Sequence, residues 1–210
     1  HTVTAFTSSP TRWATGRYTT MRDSTEIRQP STDFIAVPLH TSEDREYVPI
    51  ARFTPDVIVN NAVSIIADAN LTTFAVLNSR LFNVWNKAIS GRLESRVRIS
   101  NTITYNNFPF PSLSADQTKE VEDLAQGILD VRATFPENSL ADLYDRNGMP
   151  NDLRKAHQAL DKAMLKVVGL KATASDEQIL ENLFTRYSDL TRGLLDAEPA
   201  RRATSRRPRA

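Results

Sequence analysis

The chain has 210 residues, 40% of them hydrophobic and 24% charged, with a formal net charge of +1. That is material for one large domain or two small ones. The absence of cysteine excludes a disulfide framework, a thiol nucleophile and a zinc ribbon, and no apolar run approaches the ~20 residues of a membrane span. The chain opens His1-Thr2-Val3-Thr4, without an initiator methionine or the basic-then-apolar start of a signal peptide, as expected of a segment cut from a longer polypeptide.

Phe34-Ile35-Ala36-Val37 is a short apolar run ended by Pro38, and Tyr47 to Phe53 alternates as an edge strand would, with Pro49 inside it. Asp56-Val57-Ile58-Val59 and Val63-Ser64-Ile65-Ile66 are β-branched and short, as buried strands are. From Thr72 to Ser90 the period changes. Phe74, Leu77, Leu81, Trp85 and Ala88 recur at helical spacing, and Gly91 stops the helix. Glu94 to Ser100 then alternates as a strand, a polar connection runs from Asn101 to Asn107, and Phe108-Pro109-Phe110-Pro111 is extended or turning.

Beyond residue 112 the pattern is helical. Ser114-Ala115-Asp116-Gln117 is a capping box, followed by Val121, Leu124, Ala125, Ile128 and Leu129 on one face, and Pro136 closes that helix. Ser139 to Tyr144 makes a short helical turn. Pro150 begins a third helix, with Leu153, Ala156, Leu160, Ala163, Met164 and Val167 on one side and Gly169 at its end. Ser175-Asp176-Glu177-Gln178 repeats the capping box, and Leu180, Leu183, Phe184 and Tyr187 face inward. The fold class expected is α+β: a mixed α/β part over 1–112, then a small antiparallel helical bundle over 113–198.

Charge divides the chain in the same way. Residues 1–112 carry eleven basic side chains, ten of them Arg, against nine acidic; residues 113–198 carry ten against sixteen. Residues 199–210 carry five Arg and no acid, a basic tail expected to be disordered or to touch phosphate.

Catalytic signatures are absent. The glycines at 16, 91, 127, 148, 169 and 193 stand too far apart for GxGxxG or a P-loop, and GxSxG does not occur. The histidines His1, His40 and His157 have no metal-binding spacing; His157 lies beside the apolar side of its helix and reads as a packing residue. Trp85 fits a helix core, whereas Trp13 has no assignment. Asn107-Phe108-Pro109-Phe110 lacks the first proline of the Asn-Pro-Pro-Phe/Tyr loop of amino methyltransferases. Pro55-Asp56 followed by Glu94-Ser95-Arg96 resembles the PD…ExK carboxylates of Mg²⁺-dependent nucleases, with Arg in place of the usual Lys. It leaves open a metal-dependent nuclease built on Asp56 and Glu94.

The segment Arg92 to Arg98 is the most informative. Arg92, Glu94, Arg96 and Arg98 alternate with Leu93, Ser95 and Val97, so one strand would carry a charged face and a mostly apolar face. Such a face suits the DNA major groove, because an Arg fork matches guanine O6 and N7 while a Glu accepts from the cytosine amine. The same pattern also fits a solvated strand with a surface salt bridge between Glu94 and Arg96. In that case the helical bundle would be the working part, as a protein-interaction module.

Several strings carry a family resemblance: Thr25-Glu26-Ile27-Arg28-Gln29-Pro30, Arg45-Glu46-Tyr47-Val48-Pro49-Ile50, Phe74 through Arg80 to Trp85, and Gly91-Arg92-Leu93. With them stand Tyr105-Asn106-Asn107-Phe108-Pro109-Phe110-Pro111, Ser139 to Tyr144, Met149-Pro150 and Leu153 to Asp161. In this order, over about residues 10–190, the chain resembles the C-terminal part of MmeI-like type IIL restriction–modification enzymes. The resemblance implies a partial target-recognition domain over 1–112 and a helical C-terminal domain over 113–198, with no catalysis of their own. It implies a bacterial cytoplasmic parent that methylates adenine N6 with S-adenosylmethionine and cuts with Mg²⁺ near a short asymmetric site. The partners implied are double-stranded DNA and the methyltransferase domain of the same chain. By resemblance Glu94 and Arg96 specify one C·G pair, Arg98 reads a neighbouring position together with Ala62, and Arg92 lies in the same DNA-binding stretch.

Overall fold

The computed structural model describes residues 17–20 and 30–203, with side chains from 30 to 192. Trp13, most of the 25–30 motif and the basic tail beyond Ala203 lie outside the described residues. The architecture is α+β, with small antiparallel sheets followed by helices.

One sheet has four antiparallel strands: β1 (Arg17–Thr20), β2 (Phe34–Pro38), β4 (Ala51–Phe53) and β5 (Val63–Ala67), in the order β1-β5-β2-β4. β2 is apolar at consecutive positions because both of its faces are covered. Ile35 and its partner Ile66 face the main core, while Phe34, Ala36 and Ile65 face a smaller one. Since β4 and β5 flank β2 on opposite sides, residues 54–62 must cross the sheet. This corrects the strand expected at Asp56–Val59. The crossover lays Val57 and Val59 onto the smaller core and leaves Ile58 outward, 75% exposed. The expected strand from Tyr47 is likewise shorter. Pro49 has no N–H to give a ladder, Ile50 N–H bonds back to Val48 O at 2.8 Å, and pairing begins only at Ala51.

The helix expected over 72–90 is two helices, α1 (Leu71–Leu77) and α2 (Arg80–Ile89). The break has a local cause. Ser79 N–H and Oγ both donate to Val76 O, at 3.2 and 2.6 Å, so that carbonyl is taken from the Arg80 N–H that a continuous helix would give it, and Asn78 Nδ2 adds a bond to Phe74 O at 2.9 Å. α1 begins at Asn70, whose side chain accepts from Thr73 N–H, and its residues from Thr72 to Leu77 are all buried. A helix apolar on every side belongs in a core.

The helices α3 (Ala115–Ala133), α4 (Leu140–Leu143), α5 (Asn151–Val167) and α6 (Asp176–Ala203) complete the chain. Reciprocal capping boxes form at Ser114/Gln117 and Ser175/Gln178, as their sequence predicts. Gly169, at φ 79°, ends α5 with Leu170 N–H on Leu165 O at 2.8 Å. α6 passes residue 199, where the basic tail was expected to begin. The C-terminal helices pack on one another and on the first part: α3 packs on α5 and on α1, and α6 packs on α2. One hydrophobic core therefore runs from Ile35 to Leu183.

Candidate nucleic-acid interface

The second sheet holds the charged segment. α2 ends at Ser90, whose Oγ lies 2.6 Å from both Asn86 Oδ1 and Thr104 Oγ1, so buried polar contacts fix the point from which the charged segment emerges. The chain then forms β6 (Gly91–Leu93), a two-residue turn at Glu94-Ser95, and β7 (Arg96–Arg98), with β3 (His40–Ser42) on the other side of β7. The single alternating strand expected from Glu94 is thus a hairpin. Glu94 sits at its tip with φ 56°, in the left-handed region. The expected polar connection from Asn101 is a π-helical turn, Asn101–Tyr105, that packs Tyr105 into the core.

Pairing decides which side chains share a face. Leu93, Arg96 and Ser42 lie opposite one another, as do Gly91, Arg98 and His40. Val97 and Thr41, on the other face, are 1% and 7% exposed, so the Arg96 and Arg98 face looks outward. Arg92 pairs with Val97 and so lies on the opposite face of the edge strand, where its side chain stays exposed and its guanidinium reaches Glu43. The structure therefore separates Arg92 from Arg96 and Arg98. Glu94 Oε2 and Arg96 Nη2 are 3.3 Å apart and both side chains are exposed, which makes their attraction weak in water but sets a carboxylate beside a guanidinium fork. Arg98 has no acidic partner among the described residues.

Ala62 is drawn towards the same place by Leu39, the residue joining the two sheets. Leu39 N–H donates to Ala62 O and Leu39 O accepts from Ile99 N–H, each at 2.9 Å, so Ala62 and the residue after Arg98 are both bonded to one residue. The exposed methyl of Ala62 follows a turn in which Asn60 Oδ1 accepts from Ala62 N–H at 3.0 Å.

Residues 5–112 match the family model "MmeI, target recognition domain", and residues 113–195 match "MmeI, C-terminal domain". The chain belongs to the MmeI family. Among solved structures it is similar to the type IIL restriction–modification enzyme MmeI in complex with DNA, with a TM-score of 0.74 and 40% identity. That likeness covers 78% of this chain and 22% of the other. It is also 37% identical over 157 residues to DNA methyltransferase A of Bacillus subtilis (strain 168), covering 75% of this chain. The chain spans 18% of that relative's length.

In this MmeI-family chain the helical part holds the sheet part through buried polar groups that sequence reading does not reveal. Asp161 of α5 accepts from Arg80 N–H at 2.7 Å, capping α2 from a distance, and from Tyr47 OH at 2.6 Å. Burial pushes its carboxyl up to about 6, and burial together with Asp161 pushes the Tyr47 hydroxyl up. Arg132 of α3 donates to Ile50 O at 2.8 Å, Asn78 Oδ1 at 3.0 Å and Tyr144 Oη, with its fork over the Phe74 and Tyr144 rings. His157, fully buried as a packing residue should be, lies 2.6 Å from Tyr144 Oη and stacks on Tyr47. Burial first, and then the Arg132 charge, hold it down to about 3. The loop 43–46 is gripped by Arg92, Arg146 and Arg154 at Glu43, Asp44 and Glu46. Tyr47, Asn78, Arg80, Tyr144, His157 and Asp161 all lie in the family strings, which gave no sign that they bond to one another, and Arg132 lies in none.

Asp56 lies in the crossover turn, where a hydrogen bond from Thr54 holds its carboxyl below the usual range. Among the described residues no three His, Asp or Glu side chains gather as metal ligands. Nor, among the described residues, is any helix long and apolar enough to cross a membrane.

Proposed function

We propose that this chain reads the base edges of a short asymmetric DNA site from the major groove, as the recognition module of an adenine-N6 methyltransferase and restriction endonuclease. The carrying observation is the hairpin tip, where Glu94 and Arg96 stand side by side on an exposed edge in a target-recognition fold. A carboxylate that accepts from the cytosine amine, beside a fork that donates to guanine O6 and N7, reads both bases of one C·G pair. Arg98, with Ala62 near it, serves a neighbouring position. Arg92, held by Glu43 on the other face, supports the hairpin rather than reading a base. S-adenosylmethionine and Mg²⁺ serve other domains of the parent chain, in the bacterial cytoplasm. The acidic helical part, net −6, is repelled by phosphate and braces the sheets or meets the methyltransferase domain.

Selection of randomised duplex DNA by this chain at low salt, with sequencing of the bound pool, tests the reading. An enriched motif with one invariant C·G pair is expected, lost when Glu94→Lys and Arg96→Asp are combined. Arg96→Ala alone should cost about 1–3 kcal/mol and relax the preference at that pair. Equal weakening on every sequence would reduce Arg96 to a phosphate contact.

A further inference from the structure

We infer that the row Gly91, Arg98 and His40 is a second base-reading subsite, in which Gly91 lets the duplex close onto Arg98 and His40 adds a hydrogen-bonding contact. This rests on the DNA-reading role proposed above for Arg98 and extends it to Gly91 and His40, which strand pairing places beside it.

Gly91 is not required as a glycine by the fold. It stands in an edge strand, where glycine has no side chain to pack and loses more chain entropy than other residues. Its φ is outside the left-handed region, so the backbone does not require glycine. A Cβ built on it meets nothing within 4 Å, so packing against the described residues does not require it either. The missing side chain at this position leaves open space in which a ligand can come close to the strand.

Its position says what that is. Gly91 lies directly opposite Arg98 on the outward face. Directly opposite Cβ atoms are about 5 Å apart, so a side chain at 91 would stand where a base edge or phosphate must enter to meet the guanidinium. Arg98 is exposed, and its donors have no acidic partner among the described residues, as a group awaiting an anionic or acceptor-rich ligand would be. His40 closes the other flank of the row, exposed on β3, with ring nitrogens able to donate or accept. Cationic Arg96 and Arg98 on the same face complement a phosphate-lined duplex.

The test uses the whole 210-residue chain with Gly91→Ala, His40→Ala, Arg98→Ala and Arg96→Ala. Each is assayed by thermal unfolding, by randomised-duplex selection and by binding to the wild-type motif. Gly91→Ala should leave the unfolding midpoint unchanged yet weaken binding on the order of tenfold or more. His40→Ala should relax the motif at or beside the base pair relaxed by Arg98→Ala. Wild-type binding by Gly91→Ala, with Arg96→Ala still losing its C·G pair, would overturn the subsite and leave the proposed function standing. A lowered midpoint for Gly91→Ala would overturn it too, by making the glycine structural. If Arg96→Ala and Arg98→Ala both keep the wild-type motif, the DNA-reading role fails and the subsite fails with it.

Discussion

At Glu94 the backbone takes φ 56° while the carboxylate reaches Arg96, so one residue turns the hairpin and supplies the proposed acceptor for cytosine. A side chain with a Cβ is disfavoured in that conformation by roughly 1–2 kcal/mol, a cost that recurs where function holds a residue in place. Glu94→Gly should therefore leave the protein as stable as wild type or up to about 1 kcal/mol more stable, while the selected DNA motif loses its C·G preference. Denaturant midpoints and the bound pool, measured on the same variant, check both halves. Asp161 offers a second test at this scale. Its carboxyl is raised to about 6, so its stabilising contribution is present below the ordinary value of 3.8 and is lost as pH rises through about 6. His157, lowered from 6.5 to about 3, acts oppositely: its contribution is present above about 6.5 and is lost as pH falls. From about pH 4 to 6 the two trends oppose. Asp161→Asn removes one of them, so unfolding free energy should climb more steeply with pH over that window than in wild type.

Among the elements, the hairpin and the α1–α2 break explain where sequence reading stops. The alternation from Arg92 to Ile99 is what a single strand would show, and Glu94-Ser95 contains none of the Asn or Gly that signals a two-residue turn. The turn is specified from outside instead: Glu43 N–H donates to Ser95 O at 3.2 Å, and β3 supplies a neighbour for β7. The helical period from Phe74 to Ala88 likewise passes over a break that depends on Asn78 and Ser79 side chains and on Asp161, distant in sequence. The capping boxes were legible because both partners lie within four residues. Arg132 holds the junction together. Arg132→Leu strips donors from Ile50 O, Asn78 Oδ1 and Tyr144 Oη, each buried, and should cost about 3 kcal/mol or more in a urea titration. Arg132→Lys should recover only part of this, since one ammonium cannot reproduce the fork.

For the molecule as a whole, the continuous core sets the expectation for cooperativity. Residues from Ile35 to Phe110 share it with Val121 through Leu183, and α1 and α2 are covered by α3, α5 and α6. The two family regions should unfold in one transition, seen alike by tryptophan fluorescence of a Trp13→Phe chain, which reports Trp85 alone, and by helical circular dichroism. A chain ending at residue 112 should show no cooperative transition, because Phe74, Val76 and Leu81 would lose the helices packed on them. Two separate transitions, or a folded 1–112 segment, would refute this.

The sequence by itself determined the α+β class, the helix caps and the family, because periodicity, capping chemistry and family strings are local properties of the chain. It also singled out Glu94, Arg96 and Arg98 as candidate base-reading side chains. Only the tertiary structure decided that these lie on a hairpin, that Arg92 turns away from them, and that Gly91 and His40 join Arg98. Strand register and the crossover of residues 54–62 arise from pairings between segments far apart in sequence, and no local pattern encodes which face such a pairing exposes.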